Sequence, residues 1–578
     1  MKDNLKLFIC LVIVMCLAGC GATPPSFEAP VLKNIGNYNV PVTTKSKHAQ
    51  MFFNQGIIMA NSFNHAEAER SFRESIRQDS TFAMGYWGLA YVLGPNFNSV
   101  ENMGMVNEIR EAVKKAVQFS SDEDVAAWEK ALVKAIAVEF PMDSDLTNAE
   151  GYVTSMAEAF KQFPENSFVA TLYAESVMNL HPWDFYDRKG GEPRSWTPEI
   201  VSLLEKVILI DPENPLANHL YIHAIEASPD VAKALPIAEK LKTLVPAAGH
   251  LVHMPSHIYI NTGDYHMGSV VNEMAVVADS IYIAQCQAQG YYPQMYYPHN
   301  YHFLAATAAF EGRGARSIEA AFKAASLVDK KYYHEGGYET VQHYLTIPYH
   351  VLVKFGQWEK ILVLPKPEED LIYPTAMWHY ARGMANIKLG RKKEANEELQ
   401  RLNELAMSPS ISEQYVWGIN KVTDVCSLSS AVLKAELEMG NGKKEEAVKL
   451  LMEAIAIEDN LNYNEPPDWF FSVRHILGNV LLEAKDYKGA EAVYRDDLAF
   501  WPNNGFALNG LYESLAGQGK EGEAMEVKMQ FDQAWNLADS ELKGSEIDPE
   551  KRKDLALKVD DGSPNALIYL AGTICMTR

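Results

Sequence analysis

One stretch of the chain, from His219 to His302, carries eight of the sixteen histidines. Spacings of three, four and seven residues place side chains on one stripe of an α-helix, and three nearby segments show such spacings. The residues concerned are His219, His223 and Glu226, then His250, His253 and His257, then His299 and His302. We predict that the three segments present their imidazoles to one shared site.

Neutral imidazoles at one site favour a transition metal, because copper, zinc and iron all accept this ligand. Three imidazoles for each of two ions would resemble a dinuclear copper centre, whereas a mixture with carboxylates suits iron or zinc in hydrolysis. We assign Glu226 as catalytic base or ligand, and Asp264 as a partner behind the ligands. The predicted metal ligands are His219, His223, His250, His253, His257, His299 and His302.

A histidine-rich surface has a second use, because imidazoles also form hydrogen bonds to a peptide or a small anion. The sequence contains no HExxH motif, no Gly-rich phosphate loop and no nucleophile elbow. The argument for an enzyme therefore rests on the histidines alone, and the peptide-binding alternative stays open.

The bulk composition limits the class of protein. A chain of 578 residues is too long for one ordinary core, so it forms several domains or a repeat array. A hydrophobic fraction of 47% excludes general disorder, and a net charge of −23 argues against a nucleic-acid partner. Past Cys20 only Cys286, Cys426 and Cys575 remain, too few for a disulfide framework or a thiolate cluster.

The N-terminus predicts export. Lys2 and Lys6 precede an apolar run, Leu7 to Leu17, and the run ends in the letters LAGC. A charged start, a short apolar core and small residues at the cleavage site are typical of a secretory signal. The ending resembles the lipobox of bacterial lipoproteins, which implies lipidation of Cys20 and a membrane contact through that anchor. We expect the protein in the bacterial cell envelope, with 21–47 as a tether.

From about residue 48 the sequence predicts amphipathic helices separated by short turns, an all-α fold. Gly56 and Phe72 stand where two antiparallel helices need a small residue against a large one, and Gly478 and Tyr494 repeat this arrangement. These segments resemble the tetratricopeptide repeat. The resemblance implies a right-handed solenoid in which each helix pair covers the apolar face of its neighbour.

The segment boundaries follow from the repeats. The signal segment is 1–20, and the tail 541–578 shows no repeat register. The intervening segments are the tether 21–47, N-terminal helices 48–165, central repeats with the histidine site 166–360, and C-terminal repeats 361–540.

In the tetratricopeptide family the second, fifth, ninth and twelfth residues of each first helix face the concave surface. A register set on downstream landmarks, such as Gly263 and Tyr265, places the predicted ligands on these positions. It also places His343 and His350 there, whereas His475 lies several repeats away and His379 falls at a packing position. We predict His343 and His350 as ligand-binding residues.

Two further features mark this region. Pro255 and Pro348 each fall at the seventh position of a first helix, where proline bends or restarts the helix. The letters HPWD and a Gly-rich stretch interrupt the repeats, and loops at helix ends often approach a ligand, so we add Trp183 and Asp184 to the ligand-binding residues.

Phrases such as NHLYIHAIEASP, AGHLVHMPSHIY and EPPDWFFSVRHILG, spread over about 170–520, resemble a group of uncharacterised bacterial tetratricopeptide proteins. The resemblance implies fold and family but no established activity, and it leaves His266 outside its phrases. The first hypothesis is an envelope-anchored solenoid with a histidine-rich site that binds copper, zinc or iron; the sequence leaves open whether it is also a metal-dependent enzyme. The alternative is a non-enzymatic scaffold that binds a protein or peptide in the same groove.

Overall fold

The computed structural model describes residues 29–96, 98, 105–142, 144 and 146–555. Cys20, the signal segment and residues 556–578 lie outside this range. Within the described residues the chain is all-α apart from two short hairpins. Consecutive helices pair antiparallel along the chain. The chain is a tetratricopeptide-type helix-pair solenoid. None of the described helices is long and apolar enough to cross a membrane.

The helices of the first half carry the predicted site. They are α1 (Lys47–Asn61), α2 (His65–Gln78), α3 (Ala83–Leu93), α4 (Val106–Ser120), α5 (Ala127–Glu139), α6 (Ala149–Gln162), α7 (Ser167–Leu180), α8 (Thr197–Ile210), α9 (Pro215–Ile225), α10 (Leu235–Leu244), α11 (Gly249–His253), α12 (Pro255–Thr262), α13 (Tyr265–Cys286) and α14 (Tyr297–Phe310).

The second half continues the same pairing and adds the hairpins. Its elements are α15 (Gly314–Leu327), α16 (Val341–Tyr344), α17 (Ile347–Lys354), α18 (Trp358–Val363), α19 (Ile372–Lys388), α20 (Lys392–Ala406), β1 (Tyr415–Val416), β2 (Asn420–Lys421), α21 (Val422–Gly440), α22 (Lys444–Asp459), α23 (Val473–Glu483), α24 (Tyr487–Phe500), α25 (Gly505–Gly517), α26 (Glu521–Ala534), β3 (Leu542–Lys543) and β4 (Glu546–Ile547).

The predicted small-to-large contacts are confirmed. The ring of Phe72 fills the space above two glycines of neighbouring helices, and a Cβ built on Gly56 would stand 2.7 Å from it. Tyr494 does the same for Gly478 and Gly510, where a Cβ would meet the ring at 2.4 and 2.2 Å. Contacts this close exclude any side chain, which explains why glycine stands at these positions.

The predicted helix breaks at the two prolines are also confirmed. α11 ends at His253 and α12 restarts at Pro255, and α16 and α17 are separated in the same way before Pro348. Proline has no N–H to donate to the preceding turn, so the hydrogen bonding of the helix is interrupted there. Across the first break His253 and His257 still face each other, with their Nε2 atoms 3.0 Å apart.

Two segments between helices pack against the helices that carry the histidines. In 407–421, which contains the β1–β2 hairpin, the Trp417 ring lies 5.5 Å from that of His299, and in 460–472 the Phe470 ring stacks on His302. Two large hydrophobic clusters meet at α12, because Ile258 belongs to the N-terminal cluster and Ile260 to the C-terminal one. The predicted site lies at this junction.

Candidate metal centre

The first three-imidazole group joins two helices. α9 begins at the Asn214 cap, whose side-chain oxygen accepts from the Ala217 N–H at 3.0 Å, and it carries His219 and His223 one turn apart. α11 brings His250 to them. His219 Nε2 lies 3.1 Å from His223 Nε2 and 3.1 Å from His250 Nε2.

The second group joins α11, α12 and α14. His253 Nε2 lies 3.0 Å from His257 Nε2, and the His299 ring centroid lies 4.9 Å from that of His253. In each group the three candidate ligand atoms all lie within 4.8 Å of one another. The groups adjoin, since the ring centroids of His223 and His257 are 5.5 Å apart. We call these residues the six-imidazole cluster: His219, His223, His250, His253, His257 and His299.

Two imidazoles have their proton position determined by their neighbours. His219 Nδ1 lies 2.9 Å from the backbone oxygen of Asn61, which can only accept, so Nδ1 carries the proton. His253 Nδ1 lies 2.7 Å from Asn272 Oδ1, and the Asn272 amide nitrogen is occupied by the Gly268 carbonyl at 2.7 Å. In both neutral rings Nε2 is therefore an unprotonated lone pair.

Glu226 restricts the proton positions of His223 and His257 together. Its Oε1 lies 3.1 Å from His223 Nδ1 and its Oε2 lies 2.5 Å from His257 Nδ1. A carboxyl group carries at most one proton, so at least one of these two Nδ1 atoms must donate. Two pairs of Nε2 atoms face each other, those of His219 with His223 and of His253 with His257. In at least one of these pairs both Nε2 atoms are then unprotonated.

Protonation does not relieve this repulsion, because burial disfavours the imidazolium. Burial lowers the pKa of His223 and of His253 to about 3. Burial and the neighbouring imidazole of His223 hold the pKa of His219 well below its usual value. Burial also raises the pKa of the Glu226 carboxyl. A metal cation between the lone pairs satisfies them, and tetrahedral sites with bonds near 2.0–2.1 Å place nitrogens about 3.3 Å apart.

Glu465 was missed by the sequence analysis. Its Oε2 lies 3.4 Å from His257 Nδ1, and its other oxygen accepts from Asn261 and Tyr463. Burial and the neighbouring Glu226 raise the pKa of this carboxyl well above its usual value. The phrase EPPDWFF contains Glu465, but nothing in its local pattern places a segment so distant in sequence beside His257.

The HPWD loop lies over the cluster. The Trp183 ring packs edge-on against His223 with centroids 5.2 Å apart, and Asp184 accepts from Arg194 Nε at 2.7 Å. A cavity of about 250 Å³ lies beneath this loop and is lined by Trp183, Asp184, His223 and Glu226, among others. The cavity connects the surface with the carboxylate edge of the cluster.

His302 lies apart from the six-imidazole cluster. Its ring stacks on Phe470 and lies 5.3 Å, centroid to centroid, from His343. Among the described residues, neither ring nitrogen of His302 has a hydrogen-bond partner. His343 Nδ1 bonds the Tyr373 hydroxyl at 2.8 Å, and His350 packs against Trp469. The structure thus groups His302 with the predicted ligand-binding histidines.

The remaining candidates lie elsewhere. Asp264 was predicted to support a ligand, and this is wrong: it is exposed and accepts from Thr262 at 2.9 Å, because α12 ends before it and turns it outward. His266 is half-exposed beside Glu311, and His379 contacts Glu398. His475 bonds Asp497 and Lys354 far from the cluster.

Comparison with known proteins adds little beyond the architecture. No protein-family model matches the chain, and no curated protein matches it. Similar solved structures include an APC/C hetero-tetramer of Cut9 and Hcn1, at 13% identity and TM-score 0.28, covering 85% of this chain and 74% of that one. Human IFIT1 dimers with m7Gppp-AAAA and with PPP-AAAA give 13% and 12% identity and TM-scores of 0.30 and 0.33. Each match covers 85% of this chain and 91% of the IFIT1 chain. At these scores the likenesses carry no argument about binding or activity.

Proposed function

We propose that the chain is a metalloprotein in which the six-imidazole cluster holds two transition-metal ions. The supporting observation is that two unprotonated Nε2 atoms must face each other about 3 Å apart in at least one pair, given the contacts of Asn61, Asn272 and Glu226. Such an arrangement is unfavourable without a cation and typical of histidine ligands whose other nitrogen is held by an oxygen.

The donor set favours copper or zinc. Two of the three candidate ligand groups contain imidazoles alone, whereas non-haem iron sites normally include a carboxylate ligand. In the third group, His223, Glu226 and His257, the carboxylate contacts the Nδ1 atoms. In this proposal Glu226 orients His223 and His257 through Nδ1, so it positions the ligands. Ions bound there would polarise a substrate or activate water, and the cavity under Trp183 offers access. Catalysis by Glu226 remains a separate prediction.

The proposal extends to the cell envelope. The LAGC ending of the first twenty residues supports lipidation of Cys20 and anchoring to a bacterial membrane. The competing proposal is a scaffold that binds a peptide in the concave groove, where the peptide would compete with the segments 407–421 and 460–472 for the histidine-bearing helices. We therefore favour the metal site over the peptide groove.

The test is the metal content of the full chain, purified without a histidine tag from cells grown with added copper or zinc. We expect about two ions per chain, as in other two-metal sites. The variant His223→Ala/His257→Ala removes one ligand from each group and should lose both ions while its helical circular dichroism is retained. His266→Ala, a half-exposed histidine away from the cluster, is the matched control. Less than a tenth of an equivalent in the supplemented wild type would defeat the proposal.

A further inference from the structure

A second cavity lies in the C-terminal half of the solenoid, away from the HPWD loop. It has a volume of about 380 Å³ and lies between α17, α19 and α23. Its walls include the aromatic side chains of Tyr380, Trp469 and Phe471. Two lysines, Lys354 and Lys388, also line it. A cavity of this size and lining accommodates a small ligand with an apolar body.

Lys354 is the end of a buried chain of hydrogen bonds. Asp497 Oδ2 lies 3.0 Å from His475 Nε2, and His475 Nδ1 lies 2.8 Å from Lys354 Nζ. The ionised Asp497 can only accept, so His475 carries its proton on Nε2 and turns the Nδ1 lone pair to the lysine. Asn504 also donates to Asp497 Oδ2, at 3.0 Å, and holds the carboxylate in place. An imidazole oriented in this way is a base for the Lys354 ammonium.

Burial of Lys354 opposes its positive charge. Two aromatic rings partly compensate, since its Nζ lies 3.6 Å from the Phe506 ring centroid and 5.3 Å from that of Phe471. Within the part of the chain that the structure describes, no carboxylate forms an ion pair with it. Burial lowers the pKa of Lys354 to about 7, against the opposing charges of Glu546 and Asp497.

Lys388 provides a comparison inside the same cavity. Its Nζ lies 3.1 Å from Glu436 and 3.6 Å from Glu546. Burial acts against its charge, but these two carboxylates raise the pKa of Lys388 above its usual value. In this cavity Lys388 is therefore an ammonium paired with carboxylates, whereas Lys354 has the imidazole of His475 beside it.

We propose that Lys354 is a nucleophilic amine that forms a Schiff base with an aldehyde or ketone bound in this cavity. His475 takes one proton from the Lys354 ammonium, and the amine nitrogen then attacks the carbonyl carbon. A proton from that nitrogen and the proton held by His475 pass to the carbonyl oxygen, which leaves as water. The product is a protonated imine, so one ammonium and one carbonyl give one iminium and one water.

The experiment uses the full chain at pH 7 with benzaldehyde and sodium cyanoborohydride, which reduces an imine to a stable benzylamine. Peptide mass spectrometry then gives a labelling rate for each lysine. We expect Lys354 to react at least about 100-fold faster than Lys388, because each unit of pKa changes the amine fraction tenfold. His475→Gln should slow Lys354 by at least about a hundredfold, the lower end of the range for loss of a general base.

Lys189 is the control that distinguishes the effect of the neighbouring base from the effect of burial on the reactivity of a lysine. Burial lowers the pKa of Lys189 to about 7 as well, but its Nζ contacts the Phe500 carbonyl and the Trp501 ring instead of an imidazole. His475→Gln should leave the labelling of Lys189 unchanged, and Lys354→Arg should leave the metal content unchanged. Equal rates at Lys354 and Lys388 in the wild type would overturn the proposal even if the His475 variant did not fold. If His475→Gln folds and the labelling rate of Lys354 is unchanged in it, the role of His475 as the base is overturned.

Discussion

Buried histidines occur in two regions of this molecule, and their partners differ. In the six-imidazole cluster, Nδ1 of His219 and of His253 faces an oxygen, and Nε2 faces another imidazole. In the C-terminal network His475 stands between a carboxylate and an amine, and both of its nitrogens are satisfied. The first arrangement brings imidazole nitrogens together as candidate ligands, whereas in the second a carboxylate and an amine are already the partners of the imidazole. The histidine content alone does not separate a metal site from a proton relay; the atom facing each nitrogen does.

The largest expected difference between the regions is in acid stability. Because the folded-state pKa of His223 and of His253 is about 3, below the unfolded value of about 6.5, the unfolded chain binds more protons below pH 6.5. Stability therefore falls as the pH falls from 6.5 towards 3, by about 1.4 kcal/mol per pH unit for each such ring.

Several such rings together should unfold the metal-free protein within about two pH units of 6.5, since domains have only about 5–15 kcal/mol to lose. Urea titrations of metal-free protein between pH 5 and pH 7.5 measure the slope of the free energy of unfolding against pH. His223→Ala/His253→Ala should flatten the slope. His475→Gln should flatten it less, because burial lowers the pKa of His475 too but the neighbouring Asp497 opposes that shift. An equal flattening in the His475 variant would remove the distinction between the regions.

The next effect is stabilisation by the ion. At a free concentration about a thousandfold above Kd, a bound ion should raise the free energy of unfolding by about 4 kcal/mol. His253→Ala should abolish the gain from the ion of the second group, because it removes a ligand of that group, and should leave the gain from the first. His475→Ala should lower the starting stability but keep the gain, because it breaks only the contacts to Asp497 and Lys354. Urea unfolding with and without the ion distinguishes these outcomes.

The smallest effect concerns the groups behind the ligands. Glu226→Gln preserves the shape but replaces one of the two acceptors by a donor, so we expect metal affinity about 10–100-fold lower. Asp497→Asn makes the same change beside His475 and should leave metal affinity as in the wild type. Competition with a chromogenic chelator measures both. Equal losses would show that these substitutions act through general destabilisation.

Much of the architecture was predictable because it is local. The small residues Gly56 and Gly478 and the positions of Pro255 and Pro348 indicated helix pairs and broken helices, and the structure contains both. Spacing along single helices also indicated which imidazoles share a face. These inferences need only the period of the α-helix and the chemistry of proline and glycine.

The remaining features depend on distances along the superhelix that no local pattern encodes. Glu465 reaches His257 from a segment about two hundred residues away, and Asn272 on α13 orients His253 on α11. His302 shares a helix with His299, yet its ring stacks on Phe470 in another group. The metal ligands and Glu226 stay predictions, and the geometry shows which nitrogens to test.

The junction of the two hydrophobic clusters at α12 has a kinetic consequence. His253 lies on α11, which packs in the N-terminal hydrophobic cluster, and His299 lies on α14, which packs in the C-terminal one. The proposed ion of the second group would therefore link the two clusters. An ion held by ligands buried between the two clusters should be released only when the clusters separate. Loss of an ion should therefore follow the rate of that separation, slowly and independently of chelator concentration.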